Sequence, residues 1–311
     1  MKKVRVEAST KKDRTSEIFG NPMSKKVIRK AQKSKQKNQK KYGDDSKVNY
    51  QCIIRDNPCI GEPLGVKNVV VTRKEGKGSF DEEKGVIVGN IRMGFGHYRI
   101  SMAIASAAHA LGYTPYWMDL NSYPETTCTK LISAQNELYS LGSRISQKSK
   151  LFNKFVWEPV NYEGFRQLSY NAADQKNAEL MAPVYHSVPK DIPVIATHVW
   201  PAQAAVHAGM KHVVNAIPDN WPMALHYAQG SLHTVQTHYA YQGYRIGNGM
   251  MKDKVVQAMP PQDLMYTGHY IDHELAANIE KDCEARLSRL KNGVAMRFLL
   301  TVGGAGAQME I

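Results

Sequence analysis

GVIVGNIRMGFGHYRISMAIASAAHALGYTPYWMDL, residues 85–120, is the stretch whose reading decides the fold. It opens on GVIVGNI, a short β-branched apolar run of the kind buried on both faces of a parallel sheet. The glycine turn MGFGH follows. Ile100, Ile104, Ala107, Ala108 and Leu111 then recur at helical spacing, and Gly112 stands where a helix commonly stops. TPYWMDL reads as the next strand. Together these make a βαβ unit, whose crossover is expected to be right-handed.

Downstream the alternation continues. Helices are expected over 128–148, 169–182 and 201–209, and strands over PVIATH (193–198), HVVNAIPD (212–219), LHTVQTH (232–238) and DLMYTGH (263–269). A helix follows LHTVQTH through about Ile246, and Asp272 to Leu290 reads as a charged helix. Strands alternating with helices argue an open, mostly parallel α/β sheet. AMRFLLTVGGAGAQ (295–308) starts a fresh apolar strand and glycine turn. Either it adds to the first sheet or, as we expect, it begins a second α/β domain of which residues 295–311 are only the start.

Upstream the texture differs. Residues 1–50 hold 16 of the 41 Lys/Arg but only 5 of the 28 Asp/Glu, so the net charge of +13 belongs mainly to this segment. SKKVIRKAQKSKQKNQKK (24–41) has almost no large apolar residues. By composition it cannot offset its ordering entropy, and residues 1–50 are expected to be a solvated, disordered basic tail. A contact with an anionic membrane surface through residues 24–41 is a functional option. Nucleic acid fits less well, because the segment lacks interleaved aromatic residues for base stacking. Residues 51–84 read as an irregular or short-strand preamble, and residues 85–294 as the Rossmann-like body. Cys52, Cys59, Cys128 and Cys283 form no CxxC pair, which fits a reducing cytoplasm and gives no zinc pattern. No uncharged apolar window approaches the length of a membrane span, and the first residues lack the apolar core of a secretory signal.

In open α/β sheets ligands lie outside the carboxyl ends of the strands. The residues just after each strand are therefore the informative ones: Gly94-Phe95-Gly96-His97, Thr197-His198, Pro218-Asp219-Asn220 and Gly268-His269. The GFGH turn allows two readings. As a dinucleotide loop it would use Asp119 as the ribose-binding acid, but Arg99 stands where the fingerprint wants a small third residue. Alternatively His97 faces the cleft as a base or orienting group, since imidazole titrates near neutrality. Asp219 could assist proton transfer, orient His97 or cap the next helix. Phe152, Phe155, Trp157, Tyr162 and Phe165 lie in an irregular insertion, either as core or as a greasy lobe for an acceptor or a membrane. Gly303-Gly304-Ala305-Gly306 would make a phosphate cradle.

The order of these motifs, from GFGH and WMDL through IATHVWPAQ, VVNAIPDNWPMALHYAQGSLHTVQT and YTGHYIDHEL to RFLLTVGGAGAQ, resembles the glycosyltransferases of the monogalactosyldiacylglycerol synthase type. It is similar, more distantly, to the lipid-linked N-acetylglucosaminyltransferase of peptidoglycan synthesis. The resemblance spans about residues 85–308. It implies a GT-B fold with a Rossmann-like N-terminal acceptor domain, and only the first strand and glycine loop of the C-terminal domain present here. It further implies a nucleotide-sugar donor of the UDP-sugar kind, a hydroxyl acceptor such as a lipid, no cofactor and no metal, and a place at the inner face of a membrane. Residue by residue, Gly94, Gly96 and His97 match the family's acceptor-side glycine loop. Asp219 matches its acid, with Pro218 before it, and Gly268 matches a glycine turn from which His269 and Tyr270 depart. Gly303, Gly304 and Gly306 match the diphosphate loop. The expected site is then His97 and Asp219 as catalytic residues, with Phe95, His198 and Asn220 beside the acceptor. The rivals are a sugar-nucleotide epimerase of the same fold, a dinucleotide-dependent oxidoreductase, and a non-enzymatic protein binding nucleic acid or an anionic surface.

Overall fold

The computed structural model describes residues 13–74, 76, 78–247, 249–251, 256–295 and 297–298. Among these residues eight strands form one sheet: β1 Gln51–Asp56, β2 Lys67–Thr72, β3 Gly85–Asn90, β4 Thr114–Asp119, β5 Val194–Ala196, β6 Val213–Ala216, β7 Leu232–Val235 and β8 Leu264–Tyr266. Their order is β8-β7-β6-β5-β3-β4-β2-β1, and every neighbouring pair is parallel except β1 with β2. The protein is therefore an α/β protein with a mostly parallel, Rossmann-like sheet. Residues 51–84 are less irregular than expected: they supply β1 and β2, which extend the sheet at the β4 side.

The helices are α1 Lys25–Tyr42, α2 Phe95–Ala110, α3 Thr127–Lys148, α4 Leu168–Ala178, α5 Val199–His207, α6 His238–Ile246, α7 His273–Ala277 and α8 Ile279–Lys291. All six residues of β3 are buried, as its unbroken apolar run requires. Successive strand residues face opposite ways. Ile87 belongs to the large core with Met118, Leu131, Val194 and Val206, while Val88 belongs to a smaller core with Trp117 and Ala105 of α2. A third core gathers Ile18, Phe19, Leu168, Tyr227, Val235 and Tyr244.

The disordered-tail expectation is corrected over residues 13–50. Ile18, Phe19 and Met23 are buried, the Phe19 amide donates to Gln229, and Asn21 exchanges hydrogen bonds with Gln257. Helix α1 starts at the Ser24 cap and docks along α4. Ala31 is buried, Lys35 pairs with Glu179 at 2.6 Å, and Asn38 donates to Asn177 at 2.9 Å. Val27, Ala31, Ser34, Lys35, Asn38 and Tyr42 recur at helical spacing, so a continuous seam exists. It is mostly polar, and composition alone hides it.

The topology fixes where a ligand belongs. Val88 of β3 stands opposite Trp117 of β4 on one side and Ile195 of β5 on the other. From β3 the chain leaves through α2 towards β4. From β5 it leaves through α5 in the opposite direction, towards β6. That is a topological switch point, and the crevice above it is where open α/β sheets bind ligands.

Candidate active site

Both helices that flank the switch point carry a histidine at their N-terminal end: His97 in the first turn of α2 and His198 at the N-cap of α5. Gly94 takes the N-cap position of α2 with φ of 74°, a conformation that favours glycine, and His97 follows in the first turn. His97 Nδ1 lies 2.7 Å from the Thr197 carbonyl oxygen. A carbonyl only accepts, so the proton sits on Nδ1 and Nε2 carries a free lone pair. His198 caps α5, and its Nδ1 accepts from the Trp200 amide at 3.2 Å. The neutral His198 ring must then carry its proton on Nε2. The two rings meet edge to face with centroids 4.9 Å apart. One presents a base and the other a donor.

The backbone around them is pinned. The Ser101 hydroxyl donates to the His97 carbonyl and lies 2.8 Å from the Thr197 hydroxyl, with both residues buried. Burial lowers the His97 pKa, outweighing the opposing pull of the Thr197 carbonyl and of the Asp219 charge. Burial, with His97 and His226 nearby, holds His198 well below the ordinary imidazole value. Both rings are thus neutral near pH 7.

Asp219 follows β6. It neither caps a helix nor orients His97, whose Nδ1 is already taken by Thr197. Its partner is His226, with Nε2 3.1 Å from the Asp219 Oδ2. Tyr244 sets the direction of that bond. Its oxygen accepts from the Met223 amide at 3.4 Å, so its proton goes to His226 Nδ1 at 2.7 Å. The His226 Nε2–H then donates to Asp219. His226 and Tyr244 are buried, whereas the Asp219 side chain is 55% exposed. Burial among the site walls works to raise the Asp219 pKa, but the His226 hydrogen bond and the nearby His226 and His97 bring it below the usual carboxylate value. Asp219 is therefore a carboxylate at neutral pH.

These groups share one cavity of about 680 Å³. His97, His198, Asn215, Asp219, Asn220 and His226 form its polar head. Tyr139, Trp157, Phe165, Tyr170, Trp200 and Trp221, with Leu138, Val160 and Met223, form its aromatic and apolar walls. Trp200 is braced from behind, its indole N–H donating to the buried Asp174 at 3.2 Å. Burial, only partly offset by that bond, pushes the Asp174 carboxyl up to about 7. Trp157 lies tilted against Tyr139, with centroids 5.1 Å apart, over the surface of α3 at Gly142.

The structure thus gathers His97, His198, Asp219 and Asn220 around one space. Gly94, Phe95 and Gly96 are not among its lining residues: they form the turn that delivers His97, and Phe95 is 72% exposed. Of the aromatic insertion, Trp157 and Phe165 face the cavity, while Phe155 and Tyr162 are exposed. His269 lies at the surface against Gln236. Asp119 is spent on Arg92 at 2.8 Å, Ser122 and the Asn121 amide. Gly303, Gly304, Ala305 and Gly306, with most of the 295–308 strand, lie outside the described residues. His226 was not foreseen; its only signal was a second histidine seven residues after Asp219, on a short turn without periodicity. Among the described residues no group of three or more His, Cys, Asp or Glu side chains is arranged to hold a metal ion, and no helix is long and apolar enough to cross a membrane.

Fold and site define an α/β protein with a polar-headed, aromatic-walled cavity at a topological switch point. The chain belongs to the family described as Domain of unknown function (DUF6937), which matches residues 17–246. A second description, Domain of unknown function (DUF6938), matches residues 259–311, a span that takes in β8, α7 and α8. No curated protein matches the chain, and no solved structure does.

Proposed function

We propose that this chain carries the acceptor side of a group-transfer enzyme of the GT-B kind, moving a sugar from a nucleotide-sugar donor to the hydroxyl of an amphipathic, lipid-like acceptor. One observation carries the reading. The lone pair of His97 Nε2 belongs to a neutral ring at the polar head of a cavity whose remaining walls are aromatic. An acceptor hydroxyl placed there would lose its proton to His97 as its oxygen attacks the donor carbon, and the diphosphate would leave with the electrons of the broken bond. The His198 Nε2–H would hold a second acceptor oxygen. The Asp219 carboxylate would stabilise the imidazolium that forms. The nucleotide would be held by the glycine loop Gly303–Gly306, as the family resemblance implies. The dinucleotide reading is the weaker one, because the acid it requires, Asp119, is already occupied by Arg92 and Ser122.

The test is transfer of label from a panel of UDP-sugars to amphiphilic alcohols, using the protein expressed from its whole reading frame. The expected result is product formation that fails in His97→Ala while the thermal melt is kept. Absence of transfer and of nucleoside diphosphate release across the panel would remove the proposal. Nicotinamide binding in its place would favour the oxidoreductase.

A further inference from the structure

Helix α1 carries a second pattern besides its docked seam. Lys25, Arg29, Lys33, Lys37 and Lys41 form one row at i, i+4 spacing, about 6 Å apart along the axis. Lys26, Lys30 and Lys40 lie beside that row. At 100° per residue all of these bases fall within about 160° of arc, whose midpoint lies about 160° from Ala31. Every one of them is exposed, and α1 contains no acidic residue. Ala31 is the only buried residue of the helix, so α1 stands proud of the body along its length of about 27 Å.

The surroundings do not cancel this charge. Lys35, the remaining base of α1, lies in the seam and pairs with Glu179, which Lys176 also holds at 2.7 Å. Past the C-cap, Asp44 accepts from Gln39 and from the Ser46 amide. The buried Asp45 accepts from the Thr127 amide and faces Arg73 at 3.7 Å. Upstream, Asp13 accepts from the Thr15 and Ser16 amides. Among the described residues none of the exposed bases of α1 takes part in an ion pair.

An acid-free row of bases on a protruding rod fits a partner whose negative charge repeats as densely. Duplex DNA carries one phosphate charge per about 1.7 Å of its axis, and its major groove, about 12 Å wide, admits an α-helix. With α1 seated there, Lys25, Arg29 and Lys40 on one flank of the arc meet the phosphates of one strand. Lys30, Lys37 and Lys41 on the other flank meet those of the second strand. A flat anionic bilayer would meet only the crown of the arc near Lys33, and the face offers no apolar side chain to enter the acyl boundary. The deep, narrow major groove of duplex RNA is closed to such a helix. Aromatic side chains, which α1 lacks on this face, serve base stacking in single strands and are not needed for backbone contact with a duplex.

We propose that the exposed face of α1 binds duplex DNA without regard to sequence, seated in the major groove and held by phosphates on both sides. The proposal stands apart from the sugar-transfer reading, because this binding involves no donor, no cavity and no turnover; either can fail alone.

The experiment is fluorescence anisotropy of a labelled DNA duplex of about 24 base pairs, titrated with the full chain at about 0.05–0.3 M salt. The parent should bind duplexes of unrelated sequence alike, and its logarithmic affinity should fall with logarithmic salt at a slope of about −4 to −6. Lys26→Gln with Lys33→Gln and Lys37→Gln should weaken binding at least about tenfold and flatten the slope by about 2–3, with an unchanged melt. Lys148→Gln with Lys150→Gln and Lys154→Gln, the same change of net charge on another face, should leave the affinity within about twofold. Failure of the parent to bind overturns the proposal, as does a loss in the second variant equal to that in the first. So does tighter binding to a single strand or to an RNA duplex of the same sequence. Binding to phosphatidylcholine–phosphatidylglycerol vesicles without binding to the duplex would assign the face to a membrane and overturn it equally.

Discussion

The head and the rim of the cavity are built on opposite principles. At the head the histidines and the acid have their partners chosen for them: His97 by Thr197, His198 by the Trp200 amide, Asp219 by His226, and His226 by Tyr244. The order of donors and acceptors leaves one tautomer for each ring. At the rim the side chains are large, apolar and exposed, on turns wider than an α-helix. Reaction chemistry needs atoms held in place, and recruitment of an amphiphile needs greasy surface. Breaking the head should therefore cost turnover with little change in stability or lipid binding, and breaking the rim should do the reverse.

The largest effect is expected at His97. His97→Ala should lower transfer by roughly 10²–10⁴-fold, about 3–5 kcal/mol of barrier, because a general base is lost. The melt should hold, since Gly94 and the Ser101 bond to the backbone keep the turn. In the parent, the acidic limb of the rate profile should fall below the ordinary imidazole value, in keeping with the lowered His97 pKa. A variant with parental turnover would leave His97 a structural residue.

Next comes His226, a positioning residue. His226→Ala removes the donor that holds the Asp219 carboxylate. With a charge-assisted bond lost, transfer should fall about 10–100-fold. The Asp219 pKa should rise, because its depressing partner is gone, and so should that of His97, which His226 also lowers, so the acidic limb should move to higher pH. A uniform loss at every pH, without that movement, would show that His226 serves packing alone.

Much of this was legible in the sequence, for physical reasons. Parallel strands announce themselves as apolar runs with polar ends, so β3, β4 and the termini that carry His97, His198 and Asp219 could be read directly. The docking of α1 could not. Between Val27 and Tyr42 its seam runs through Ala31, Ser34, Lys35 and Asn38, and the polar partners are Glu179 and Asn177, about 140 residues away. Composition registers lysines as solvated, and only the partner shows that one of them is paired. His226 was hidden for a related reason: its role comes from Tyr244, brought near by the fold and by nothing in the local pattern.

The wall behind the head offers a pH test. Asp174 accepts the Trp200 indole N–H while its own carboxyl is pushed up to about 7 by burial. A carboxyl raised in the folded state binds its proton more tightly there than in the unfolded chain. Its ionisation therefore destabilises the fold as pH climbs from about 4 through about 7. Asp174→Asn keeps an oxygen for the indole and removes that titration. Relative to the parent, the variant should gain about 2–3 kcal/mol of stability between pH 5 and pH 8. Denaturant melts at both pH values measure the difference. An equal offset at the two would mean that Asp174 ionises normally in the fold.

The smallest effect is expected at Gly142, where the rim is anchored to α3. A methyl group at this position would fall well inside contact distance of the Trp157 ring, which also packs against Tyr139. Two terms oppose each other in Gly142→Ala. Alanine favours the helix over glycine by about 1 kcal/mol. Crowding Trp157 costs about 1–3 kcal/mol if the ring stays. The ring has an escape, since it belongs to an exposed turn and not to the core, so it should swing away and most of the crowding should vanish. Stability should then change by no more than about 1 kcal/mol in either direction. Trp157 should nevertheless leave the cavity wall, altering near-ultraviolet circular dichroism and weakening amphiphile binding, while His97 and Asp219 keep their partners. A large loss of stability would mean that the rim is packed as tightly as the head, and the contrast between the two would collapse. Unchanged amphiphile binding together with a displaced Trp157 would instead show that the ring is dispensable to the wall, and that Tyr139 and Phe165 carry it.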